Sequence, residues 1–189
     1  PAYAGFLPPP RAMEGNFPLP YILVVASRDP RKGLDRLVEW YAKLSEPQFQ
    51  LVIVGRDAAQ FRPVGLRPVE GVVLRPDVDD AELQRLYTNA IALVHLSRYE
   101  GFGLPILEAM AAGCPVIAVE LPVLRSNFGG AVMYLPGTDL DPLQAMILGL
   151  MDPDRRQHYV DRGKQRAAQF TPQRMASALH EVLDPLLRS

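Results

Sequence analysis

The chain has 189 residues, 48% hydrophobic and 22% charged, enough to close one sizeable core and short for two. Its 20 basic and 21 acidic side chains leave a formal charge of −1, which excludes the broad electropositive field that holds a nucleic-acid backbone, so any anion site must be local. A single cysteine, Cys114, cannot close an internal disulfide, and neither it nor His95, His158 and His180 show metal-ligand spacing, so the expected setting is a reducing cytoplasm.

Residues 1–20, PAYAGFLPPPRAMEGNFPLP, hold six prolines, each fixing φ and removing a backbone donor, and are expected to form an extended or irregular connector. The absence of an initial methionine reads as trimming from something longer. The longest apolar runs, such as ILVVA and LQAMILGLM, are too short for a bilayer span, and no leader pattern opens the chain. No transmembrane segment is expected, and peripheral contact with a membrane stays open.

From residue 21 a regular alternation begins. Tyr21–Ala26, Gln50–Gly55, Val72–Arg75, Ile91–Ser97, Pro115–Glu120 and Ala131–Leu135 are short β-branched runs whose near-continuous hydrophobicity fits strands covered on both faces. Between them, GLDRLVEWYAKL sets Leu34, Leu37, Val38, Tyr41 and Leu44 on one helical stripe. Asp79 or Asp80 caps AELQRLYTNA, with Leu83, Leu86 and Tyr87 inward. EGFGLPILEAMAAGC starts a helix at Pro105. Further helices are predicted over Asp139–Met151, Asp154–Gln169 and Pro172–Leu187, the last capped by Thr171. This alternation predicts an α/β fold: a Rossmann-like, doubly wound parallel sheet of about six strands spanning residues 21–189.

In such sheets a ligand sits beyond the carboxyl ends of the strands, where the winding reverses between strands 1 and 4. The two loops there are SRDPRKG and SRYEGFGLP. In the second, Gly101 and Gly103 let backbone approach a ligand, and Pro105 opens a helix whose free N–H groups form an anion seat. Across the crevice Arg28, Arg31 and Lys32 offer positive charge for a diphosphate. Glu108, one turn into the helix, is spaced to accept from vicinal ribose hydroxyls, and Glu100 to accept from a second sugar. The pattern suits a nucleoside diphosphate sugar. Singly, each residue has a plainer reading as a loop or surface group; the conjunction carries the expectation. Arg75, Pro76 and Asp77 after strand 3 would border the nucleotide base. His95 reads as a packed strand residue, Cys114 as a small buried one, and Trp40 and Tyr41 as packing.

EGFGLPILEAMAAGCPVIA closely resembles the signature of the retaining GT-B glycosyltransferases of the group 1 type, in which two glutamates bracket seven residues within EGFGLPxLEAMAxGxPVIA. The similarity runs from about Tyr21 to Leu187 through KGLDRL, LVIVG, ELQRLYTNA, GGAVMYLPG and RAAQFT. It implies the C-terminal, donor-binding half of a two-domain enzyme, its acceptor domain absent from this chain. By that resemblance Glu108 holds the ribose and Glu100 contacts the donor sugar. The amides of Phe102, Gly103 and Leu104 would meet sugar and phosphate. Arg28 and Lys32 would neutralise the leaving diphosphate, without a cofactor or an obligatory metal. The loop from Arg28 to Lys32 is one residue short of the pattern, so Arg31 shares or replaces either role. Leu96 stands where the family has proline, Ser126 where it often has an acid, and Phe170-Thr171-Pro172 where it has an FxW-like segment. The rival expectations are a non-catalytic nucleotide-binding or scaffolding domain and a nucleotide-sugar epimerase of similar architecture. A phosphorylase would need a pyridoxal lysine, and Lys32, Lys43 and Lys164 lack its context.

Overall fold

The computed structural model describes residues 17–26, 29–55, 69–137, 139–171 and 180. In chain order the elements are β1 (Tyr21–Val25), α1 (Leu34–Ala42), β2 (Gln50–Val54), β3 (Val72–Arg75), α2 (Asp80–Asn89), β4 (Leu93–His95) and α3 (Leu104–Ala111). There follow β5 (Val116–Val119), α4 (Pro122–Phe128), β6 (Met133–Leu135), α5 (Leu143–Gly149) and α6 (Pro153–Ala167). The six strands form one parallel sheet in the order β3-β2-β1-β4-β5-β6, the doubly wound arrangement expected from the alternation.

The sheet is covered on both faces, which is why its strands carry no polar alternation. One face packs Ile22, Val24, Leu51, Ile53, Val94 and Ile117 against Leu34, Leu37 and Tyr41 of α1 and Leu143 and Ile147 of α5. The other packs Leu23, Val52, Leu93 and Val116 against Leu86 and Tyr87 of α2, Ile106 and Met110 of α3, and Leu124 and Phe128 of α4. Such side chains each contribute roughly 1.5–3 kcal/mol on burial. No helix among the described residues is long and apolar enough to cross a membrane.

The winding reverses at β1. From β1 the chain passes through α1 to β2, on one side of the starting strand, and later returns through α2 to β4 on its other side. The carboxyl ends of β1 and β4 therefore border a crevice, and the loops that leave them face each other.

Several predicted boundaries move. β4 is confined to Leu93–His95 instead of 91–97. Ahead of it, Ile91 donates to Tyr21 and Ala92 accepts from Leu23, and beyond it Leu96 peels away to abut Gly33. A helix unmarked by the sequence pattern, α4, follows β5; Pro122 occupies its first turn and no side chain caps it. Ala131, predicted to begin the last strand, instead closes a turn of 3-10 helix over Gly129–Ala131. α5 starts at Leu143, not Asp139, because the Asp139 carboxylate accepts from the Asp141 amide and folds 139–142 into a turn. α6 begins one residue early, since Asp152 caps it by accepting from the Arg155 amide. Asp79 is the cap of α2, accepting from the Glu82 amide. The helix predicted at Pro172–Leu187 and most of the proline-rich connector lie outside the described residues.

Candidate functional site

Both helices that rim the crevice start at a glycine in left-handed conformation. Gly33, φ 70°, precedes α1, and a Cβ there would stand 3.0 Å from the Leu96 carbonyl oxygen. The absent side chain lets the β1 loop close on the end of β4. Gly103, φ 95°, precedes α3, where a Cβ would come within 2.9 Å of Leu124 and 3.0 Å of Phe128. No other residue meets both the dihedral and the space. The two loops are stitched directly as well, the Arg98 amide donating to the Arg31 carbonyl at 2.9 Å.

At the start of α3, Pro105 has no N–H, and the amides of Ile106 and Leu107 both turn back to the Gly103 carbonyl. The Leu104 amide is left pointing out of the helix with the positive end of its dipole. The loop ahead is anchored from below. Phe102 packs edge-on against Phe128 and Phe170, with ring centroids 5.8 and 5.3 Å away, and its carbonyl accepts from Asn127 Nδ2 at 3.1 Å. Arg166 donates to the Asn127 carbonyl and lies over the Phe170 ring. A rigid loop of this kind presents fixed amides to a ligand. Gly101 faces open space: a Cβ there would touch nothing within 4 Å.

Lys32, which closes a 3-10 turn over Pro30–Lys32, reaches across the crevice to Glu100, Nζ to Oε1 2.6 Å. His95, at the end of β4 and 4% exposed, meets the same oxygen through Nε2 at 2.9 Å. The buried Ser97 hydroxyl donates to the Tyr99 carbonyl and tightens the turn that brings Glu100 back over β4. The hydrogen bond from His95, then that of Lys32, holds the Glu100 carboxyl down at about 2 against desolvation. Glu108 stands exposed on α3 and accepts from the Tyr87 hydroxyl of α2, Oε2 at 3.0 Å. Burial, together with the Glu108 charge, pushes the Tyr87 hydroxyl well above the usual phenol range, so it stays a donor.

The fold thus brings Lys32, Glu100, Gly101, Phe102, Gly103, Leu104 and Glu108 to the two loops and one helix of the switch point. Arg31 engages Asp29 through its guanidinium and its amide, and this holds the Asp29 carboxyl at about 2. Arg28 lies outside the described residues. Arg75 pairs with Glu82 beside β3. Two residues went unmarked as site residues in the sequence. Tyr87 fell on the inward stripe of a helix and His95 inside an apolar strand, and neither bond to a glutamate has a local sequence signal.

Residues 16–166 match the profile described as glycosyl transferases group 1. The chain belongs to this family. Among its relatives in the group 1 glycosyltransferases, O-antigen chain mannosyltransferase B of Escherichia coli is 33% identical over 160 residues, which cover 80% of this chain and 42% of that protein. A phosphatidyl-myo-inositol mannosyltransferase of Mycolicibacterium smegmatis is 31% identical over 150 residues, 75% of this chain and 39% of that one. The fold matches sucrose-phosphate synthase from Thermosynechococcus elongatus with a TM-score of 0.74 and 28% identity, over 89% of this chain and 46% of that one. The chain spans about two fifths of the length of the curated relatives it matches.

Proposed function

We propose that this chain is the donor-binding domain of a glycosyltransferase that moves a hexose from a nucleoside diphosphate sugar to an acceptor, with retention of anomeric configuration. In this reading the Gly103 and Leu104 amides seat the diphosphate with Lys32, joined by Arg28 and Arg31. Glu108 accepts from the ribose hydroxyls. Glu100 accepts from hydroxyls of the sugar, and the Phe102 amide and Gly101 border it.

The chemistry follows from charge. As the bond between the sugar and the diphosphate breaks, negative charge grows on the leaving oxygens, and fixed cations and amide dipoles bind that charge more tightly than the ground state. Lys32 and Arg28 supply it with no obligatory metal. The observation that carries the reading is the meeting of Lys32 with Glu100 at the carboxyl ends of β1 and β4, beside a glycine-led helix start. Membership of a sugar-transferring family and the two mannosyltransferase relatives support it. The acceptor, and any group that activates it, belong to a second domain outside these residues, and the whole acts in the cytoplasm.

Calorimetric titration of this chain with UDP, GDP and ADP and their hexose conjugates, a mannose conjugate included, tests the reading. One nucleotide series should bind, and Glu108→Gln should weaken it at least tenfold, the scale of hydrogen bonds to a charged group. Binding indifferent to Glu108→Gln would favour a scaffolding role instead.

A further inference from the structure

Glu100 is held from two directions that differ in exposure. Lys32 reaches it from the crevice, with its side chain 25% exposed, whereas His95 reaches it from the sheet and is 4% exposed. Its neighbours on that face of the sheet, Leu93 and the register partner Ala118, are buried and apolar, so the imidazole has been placed in a core that offers it little else to bond. Both bonds fall on Oε1. With both bonds on Oε1, the Oε2 oxygen keeps accepting capacity of its own.

A diphosphate entering the crevice competes for Lys32, since phosphate offers that ammonium more charge than one carboxylate does. It has no route to His95, which lies beneath Glu100. Once Lys32 has turned to phosphate, the imidazole remains to keep Glu100 from swinging away. Its Nε2 must carry a proton to do this, a condition met by the Nε2–H tautomer and by imidazolium alike.

We propose that His95 is a positioning residue: by donating to Glu100 Oε1 it aims Oε2 at the hydroxyls of the donor sugar, and so sets how much the sugar adds to nucleotide affinity. The inference rests on the reading of Glu100 as a sugar contact. It assigns His95 no contact with substrate and predicts no effect on the nucleotide half of the ligand.

The test is calorimetry on this chain with UDP, GDP and ADP and with their hexose conjugates, comparing wild type, His95→Leu and His95→Gln. The readout is the ratio of the Kd of the nucleoside diphosphate to that of its conjugate. In wild type the ratio should exceed one. His95→Leu should bring it to about one while the diphosphate Kd stays within about twofold. His95→Gln, whose amide nitrogen falls near the ring Nε2, should keep most of it. A purely structural role would alter thermal stability and spare the ratio, and an unchanged ratio in His95→Leu overturns the proposal with the donor-site reading intact. A wild-type ratio of one removes the sugar contact and the proposal with it. A wild type that binds none of the six ligands overturns the donor-site reading itself. Should His95→Leu not fold, nitrogen-15 spectra of the wild-type imidazole in the conjugate complex decide: a protonated, hydrogen-bonded Nε2 supports the proposal, and an Nε2 without a bound proton contradicts it.

Discussion

Lys32 and Glu100, 68 positions apart in the chain, close on each other across the crevice, Nζ to Oε1 at 2.6 Å. The pair balances charge within the crevice, and in the proposed reading each partner is exchanged on binding: Lys32 for phosphate, Glu100 for sugar hydroxyls. Lys32→Met should therefore weaken binding of a nucleoside diphosphate roughly ten- to a hundredfold. Glu100→Gln should do the opposite to the bare diphosphate, tightening it a few-fold by freeing Lys32 and removing a like charge, while weakening the sugar conjugate. Calorimetry on the two variants reads both signs at once.

The bonds that hold Glu100, that from His95 foremost and that from Lys32 after it, tie stability to pH. Glu100 is held at about 2 against an ordinary value of 4.5, so its charged form favours the folded chain. That contribution is complete above about pH 4.5 and is lost as pH falls toward 2. At pH 7 Glu100→Gln should be less stable than wild type by about 1–2 kcal/mol, discounted for the solvent that reaches the crevice side. The difference should shrink steadily below pH 4.5. Asp29, held low by Arg31, titrates in the same range in both proteins, so the difference isolates Glu100. Urea unfolding at pH 7 and pH 3 measures it.

Tyr87 and Glu108 sit 21 positions apart on packed helices, and the hydroxyl of one steers the carboxylate of the other. Tyr87→Phe keeps the buried ring and removes the donor, so stability should fall by only about 0.5–1.5 kcal/mol. If Glu108 grips the ribose, nucleotide affinity should drop several-fold in the same variant, and Glu108→Gln should exceed it. Fluorescence competition or calorimetry, set beside a thermal melt, distinguishes the two losses.

Gly101 and Gly103 look alike in sequence and differ in physics. At Gly103 an alanine would pay roughly 1–2 kcal/mol for left-handed backbone and would also crowd Leu124 and Phe128. Gly103→Ala should accordingly lower the melting temperature by several degrees. At Gly101 the methyl would meet open space, so Gly101→Ala should melt like wild type. Its added methyl projects where the sugar is proposed to lie, and the conjugate should bind more weakly while the bare diphosphate is unaffected.

The strand and helix pattern was largely legible because a sheet buried on both faces writes itself as unbroken apolar runs, such as YILVV and QLVIV. What failed were elements defined by contacts elsewhere. α4 has seven residues, no capping side chain and a β-branched residue in its first turn, and it stands because Leu124 and Phe128 dock under α3 and Phe102. At the site, the glycines and both glutamates were readable from their spacing. The partners that orient those glutamates were not. His95 is adjacent to Glu100 only because the chain turns back over β4, and Tyr87 meets Glu108 only when α2 and α3 pack.

The most direct test of the central claim is a crystal structure of this chain with a bound nucleoside diphosphate. The account predicts the diphosphate at the start of α3, on the Gly103 and Leu104 amides, with Lys32 drawn from Glu100 onto phosphate and the ribose hydroxyls on Glu108. A nucleotide bound elsewhere, for instance in the polar hollow of about 400 Å³ lined by Arg162 and Arg166, with Lys32 still on Glu100, would contradict it.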